Sequence, residues 1–141
     1  MAIYIPAGYH QHPNGGGLVA ETATVGAGAT VSTGATVSAG ARVGAWATVG
    51  AWARVGAGAT IGTGARVGST RDCVVINPLG SRDAPLTITF QPTIRVLTGC
   101  FDDSLEKFES RVHETYPEGH THRIEYDATI AFIRVLERTR Q

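Results

Sequence analysis

From Val19 onward an aliphatic side chain recurs at every sixth position, at Val25, Val31, Val37, Val43, Val49, Val55, Ile61 and Val67. Alanine stands four places after each of these up to Ile61, at Ala23, Ala29, Ala35, Ala41, Ala47, Ala53, Ala59 and Ala65. A glycine, serine or alanine follows each aliphatic position, as in Val25-Gly26-Ala27-Gly28-Ala29-Thr30. A period of six matches neither a helix at 3.6 nor a simple strand at 2. It predicts a chain that turns a corner every six residues and sends one aliphatic side chain per face inward. Alanine suits the tight corner, and glycine lowers the steric cost of unusual backbone angles there. The repeat ends at Arg71, where alanine is due. Cys73 is the last candidate inward position, and Pro13 breaks the register on the other side.

After Arg71 the pattern changes. Cys73 to Asn77 reads as a strand, and Pro78 to Pro85 as a loop rich in turn formers. Leu86-Thr87-Ile88-Thr89-Phe90 alternates apolar and polar residues, as a half-buried strand does. Gln91-Pro92 turns the chain, and Thr93 to Thr98 returns as the partner strand. Gly99-Cys100-Phe101 then leads into a helix, with Asp103 and Glu106 spaced as a capping box. Leu105, Phe108 and Val112 make its apolar stripe to about Thr115, and Pro117-Glu118-Gly119 ends it. A second helix is predicted from near Thr121, presenting Tyr126, Ile130 and Ile133 at helical spacing.

The hexad pattern resembles the hexapeptide-repeat family, the left-handed parallel β-helix, in which three hexads make one triangular coil. Val19 to Asp72 would then form three coils. Val25, Val43 and Ile61 would stack on one inner face, Val31, Val49 and Val67 on the next, and Val37 and Val55 on the third. The expected fold is mainly β: a left-handed parallel β-helix of about three coils, then a small sheet and two α-helices. Its expected divisions are an N-terminal cap over 1–18, the β-helix over 19–73 and an α/β module over 74–141.

The ends of such a coil expose unpaired strand edges, which invite aggregation unless covered. Residues 1–18 and the C-terminal segment are expected to cover them. The flat faces carry small side chains (Thr24, Thr30, Ser32, Thr36, Ser38, Ala45) that suit side-by-side packing, and cyclic closure would remove them from water. The family resemblance implies a homotrimer or a multiple of one. Trp46 and Trp52 stand at equivalent places of neighbouring hexads, where other repeats carry Gly28, Gly34 or Gly40. They are candidates for the oligomer interface, with a ligand cleft as the alternative.

Charge is uneven. Residues 1–70 carry only Glu21, Arg42, Arg54 and Arg66, whereas nine Lys/Arg and eleven Asp/Glu lie in residues 71–141. The formal net charge is zero, which gives no footprint for a nucleic acid polymer. No run is long enough for a membrane span and no signal-peptide pattern is visible, so a cytoplasmic setting is expected. Cys73 and Cys100 are too few and too far apart for a disulfide scaffold or a zinc knuckle.

Many hexapeptide proteins are acyltransferases that use a histidine near the coils as general base, and relatives of carbonic anhydrase type hold zinc with three histidines. This chain has no histidine between His12 and His113. That absence disfavours an acyl-CoA-dependent transferase and a zinc enzyme alike, and no cofactor is expected. His10 with His12, and His120 with His122, offer two metal ligands each, with His113 as a further candidate beside the second pair. Equally they are polar residues of a leading segment and a loop.

The loop Gly80-Ser81-Arg82 offers backbone N–H groups, a hydroxyl and a guanidinium suited to phosphate. Phe101 offers a stacking face. Arg123 sits near the start of the second helix, where free N–H groups favour an anion. Alternatively Arg82 pairs with Asp83, Phe101 is core, and Arg123 pairs with Asp127 at i+4.

Gly80 to Ile133 also looks like a C-terminal module of small phage proteins. The matching residues are Gly80-Ser81-Arg82, Gly99-Cys100-Phe101, Leu105 with Phe108, His113, and Arg123 with Tyr126. That module is similar to phage anti-defence proteins that trap signalling nucleotides, such as the cyclic ADP-ribose products of Thoeris. The resemblance implies a phage-encoded, non-catalytic sponge acting in the host cytoplasm. Its site would comprise Ser81, Arg82, Phe101, Arg123 and Tyr126, with a small phosphorylated nucleotide as partner. This chain carries Asp102-Asp103 where such modules often have glycine. A trimerising structural protein of a phage particle is a further alternative.

Overall fold

In the computed structural model the described residues are 4–80, 84–99 and 101–140, with main chain alone at Pro78. The chain is mainly β with two helices. Strand β1 (Tyr9–Gln11) precedes nine short strands at the hexad spacing. These are β2 (Leu18–Ala20), β3 (Thr24–Val25), β4 (Thr30–Val31), β5 (Thr36–Val37), β6 (Arg42–Val43), β7 (Thr48–Val49), β8 (Arg54–Val55), β9 (Thr60–Ile61) and β10 (Arg66–Val67).

Each strand is too short to persist alone, so pairing at long range decides the structure. Parallel ladders link β2-β5-β8, β3-β6-β9 and β4-β7-β10. The register is eighteen residues, with Val25 opposite Val43 and Val43 opposite Ile61. Backbone bonds repeat accordingly: Thr24 N–H donates to the Ala41 carbonyl at 2.9 Å, and Thr30 N–H to Ala47 at 2.9 Å. The Val and Ala side chains of all three ladders form one core cluster. Such ladders are compatible with a β-helix.

The corner is a turn whose last residue is alanine. Ala29 N–H donates to the Gly26 carbonyl at 3.2 Å, and the Ala29 methyl is buried. The residue before that alanine has a left-handed backbone. Gly28, Gly34, Gly40, Gly58 and Gly64 fill it with φ of 72–84°. Trp46 and Trp52 fill it with φ of 63° and 67°. A non-glycine residue there carries roughly 1–2 kcal/mol of strain. Each ring lies on the glycine one coil below, since a Cβ at Gly28 would sit 2.5 Å from the Trp46 ring and one at Gly34 2.6 Å from Trp52.

Both ends of the ladders are covered. On the leading side Gly17 N–H donates to the Val31 carbonyl at 2.8 Å, and the Asn14 amide to Ala29 at 2.9 Å. On the trailing side three strand N–H groups have no further coil to meet. Arg54 N–H finds the Thr70 hydroxyl at 3.2 Å, Thr60 N–H the Thr87 hydroxyl at 2.9 Å, and Arg66 N–H the Gln91 carbonyl at 2.9 Å.

Two of those acceptors, Thr87 and Gln91, belong to the C-terminal part. Strands β11 (Cys73–Leu79), β12 (Ala84–Thr89), β13 (Arg95–Thr98) and β14 (Phe101–Ser104) form an antiparallel sheet in that order. Helices α1 (Leu105–Thr115) and α2 (Thr121–Thr139) follow. Leu86, Ile88, Val96, Phe108, Val112, Ile130 and Ile133 form their common core. Among the described residues no helix is long and apolar enough to cross a membrane.

One expectation needs correction. The residues after Gly99 were read as leading straight into a helix begun by Asp103. Instead Phe101 to Ser104 form a fourth strand, paired with β13. Arg95 holds the turn by gripping Asp102 at 2.7 Å. The helix N-cap is Ser104, whose hydroxyl accepts from Lys107 N–H at 3.2 Å.

Cys73 packs against the coil core. Burial, with Asp72 beside it, pushes its thiol up to about 12. In a Cys100→Ser variant Cys73 is expected to resist iodoacetamide at pH 8 until the protein is denatured. Labelling at the rate of a free thiol would contradict this. In the coils, Ile61→Ala should cost about 2–5 kcal/mol of stability. Thr48→Ala, on another ladder, should stay within about 0.5 kcal/mol in denaturant titrations.

Candidate ligand-binding site

The fourth strand brings Phe101 beside α1, and the break between the helices folds α2 back across it. Phe101 meets Phe108 edge-on at 5.5 Å between ring centroids, and Phe108 meets Tyr126 edge-on at 5.6 Å. Tyr116, just past α1, stacks with Tyr126 at 6.0 Å. These four rings border a cavity of 410 Å³, within the range of about 300–1,000 Å³ common for small-ligand sites. Polar groups at its wall are Thr98, Asp102, Asp103, Arg111 and Thr115.

Charge around the cavity is partly spent internally. Asp102 accepts from Arg95 Nε and Nη2. Asp103 Oδ1 accepts from Ser104 N–H at 2.7 Å. The guanidinium of Arg111 lies over the Phe101 ring, 5.7 Å from its centroid, and is exposed. A cation held over a ring in this way gains about 0.5–1 kcal/mol at an exposed site and stays available to an anion.

Gly80 follows the lining residue Leu79 and packs against Tyr126. Its φ is +77°, and a Cβ there would overlap the Tyr126 side chain. Gly80 N–H also donates to the Glu125 carboxylate. Helix α2 therefore anchors Gly80 next to a cavity ring.

Of the residues expected at the site, Phe101 and Tyr126 line the cavity together. Ser81 and Arg82 lie outside the described residues. Arg123 stands apart from that lining. It donates to Asp127 at 2.8 Å and to the Tyr116 carbonyl at 3.3 Å, closing the inter-helix turn. Partial desolvation works against ionisation of Asp127, yet hydrogen bonds from Arg123 and His113 hold its carboxyl below the usual carboxylate range.

The histidine pairs do local work. His10 pairs with Glu21 at 3.3 Å, and His12 hydrogen-bonds the Ala29 carbonyl at 3.3 Å. His120 Nδ1 accepts from His122 N–H at 3.1 Å and caps α2, and both rings pack near Tyr116. Among the described residues no cluster of three or more His, Cys, Asp or Glu stands where it would hold a metal.

Arg111 and Tyr116 were missed in the sequence. Phe108, Arg111, Val112 and Thr115 are spaced three, one and three apart, which places them on one helical face. Arg111 was the charged member of an otherwise core-facing stripe, and that was the signal. Tyr116 gave none, because it follows the helix and its direction is set by packing.

Trp46 and Trp52 are 72% and 77% exposed, far from this cavity in sequence and absent from its lining. The chain matches no family model, no curated protein and no solved structure.

Gly80→Ala is expected to lower stability by more than the roughly 1–2 kcal/mol of left-handed strain, because the new methyl also displaces Tyr126. A midpoint shift no larger than that of Gly119→Ala, where φ is +88° and space is open, would contradict the packing described.

Proposed function

We propose that the protein is a non-catalytic oligomeric binding protein that sequesters a small phosphorylated nucleotide. In this reading it is a phage-encoded sponge against a host defence signal. The residues with the six-residue period form a left-handed β-helix that trimerises, and each chain contributes one C-terminal binding module.

The observation that carries the reading is the cavity that Phe101 and Tyr126 both line, with Gly80 packed against Tyr126. A flat base has the partly exposed rings of Phe101 and Tyr116 to stack on, worth about 1–3 kcal/mol per base in comparable protein sites. Arg111 at the wall is one cation for phosphate, and Arg82 is the second in this reading. Sequestration asks only for affinity, and no group here has to move a proton.

Self-association is supported by the two tryptophans. Their strained backbone and outward rings cost stability in a lone chain, and burial against another copy would offset that cost. Aromatic side chains bury about 150–250 Å² each, so two of them make a large part of the roughly 800 Å² each partner gives to a stable interface.

Arg82→Ala is expected to abolish binding of adenosine nucleotides in calorimetric titrations while the oligomer seen by native mass spectrometry stays intact. Unchanged affinity would sink the site assignment. Replacing both Trp46 and Trp52 by glycine should dissociate the oligomer while leaving the monomer folded. A persistent trimer would reject the tryptophan seam.

A further inference from the structure

A second groove of 410 Å³ lies on the other side of the Thr98–Asp102 turn, between the coils and the C-terminal sheet. It shares Thr98, Gly99, Phe101 and Asp102 with the aromatic cavity. Its far wall comes from the coils, through Arg42, Thr60 and the corner residues Gly40 and Gly58.

Arg42 gives the groove its character. Every other strand on the β3-β6-β9 ladder begins with threonine, Thr24 and Thr60. Among the described residues Arg42 makes no ion pair and no side-chain hydrogen bond. The carboxylate nearest in kind, Asp102, is engaged by Arg95 at 2.7 Å. With Asp102 paired to Arg95 outside the lining, Arg42 is the one charge among the described lining residues left without a counter-ion. Thr60 and Thr98 also line it, and the Thr98 hydroxyl donates to the Pro85 carbonyl at 3.2 Å.

Two compartments thus meet at Phe101, each near the lower end of ligand-site volumes. The aromatic one has Arg111 at its wall and the second has Arg42. Resting on the nucleotide reading above, we infer that the site is bipartite and takes a dinucleotide-sized ligand. One base lies among the rings of the cavity, and the phosphate bridge and second half cross Phe101 to reach Arg42. The coils then supply part of the site as well as the scaffold.

The test compares two probes, AMP and NAD, which differ in having one nucleotide or two joined through pyrophosphate. In calorimetric titrations the native protein should bind NAD at least tenfold more tightly than AMP. Arg42→Ala should weaken NAD about tenfold and leave AMP within twofold. Arg54→Ala, at the same hexad place on a different ladder, should change neither. NAD binding no tighter than AMP, or an Arg42→Ala protein with unchanged NAD affinity, overturns the bipartite site while AMP binding keeps the nucleotide reading. An equal loss from Arg54→Ala overturns it too, as a general charge effect. Failure of the native protein to bind either probe rejects both the nucleotide reading and its extension.

Discussion

Every part of the molecule depends on stacking at eighteen residues. Strands of two residues have no independent stability. They persist because N–H groups such as those of Thr24 and Gly26 donate to the carbonyls of Ala41 and Val43, and because the aliphatic side chains stack in register. The core this creates is narrow, filled by valine, isoleucine and alanine alone. It tolerates no polar intrusion, and it leaves an unsatisfied edge at each end. The rest of the chain answers that edge. Three N–H groups of the last strands take their acceptors from Thr70, Thr87 and Gln91, so the C-terminal sheet is hydrogen-bonded directly to the coils.

That docking places the functional features. The sheet is fixed over β9 by the Thr60–Thr87 bond, and the Thr98–Asp102 turn lies against the coils, with Gly62 leaving room for Asp102 and Leu97. Phe101, at the base of the turn, borders a ring-lined cavity on one side and an arginine-bearing groove on the other. The nucleotide reading therefore joins the two halves of the chain. In this reading the coils hold the modules, count the copies and lend Arg42.

The coil register was legible in the sequence because it is written nine times. One hexad would have been ambiguous, whereas repetition from Val19 to Val67 left a single pairing that buries all the valines. Helices α1 and α2 were legible through the Phe108–Val112 and Tyr126–Ile133 spacing. The strand at Phe101 to Ser104 was not. Two aspartates at its centre argue against a strand by propensity, and the pairing with β13, with Arg95 gripping Asp102 across it, offsets that. The site was half legible for the same reason. Phe101 and Tyr126 have side chains whose use is local and evident. The i+4 spacing offered Asp127 as a partner for Arg123, and the structure makes that pair. Trp46 and Trp52 were visible as oddities, but their left-handed backbone follows from the corner geometry and could not be read from residue type.

The most direct measurement is native mass spectrometry of the intact protein incubated with a mixture of mono- and dinucleotides. A trimer, or a multiple of one, carrying one nucleotide mass per chain is the expected result. A monomer with no added mass would contradict both the assembly and the binding function.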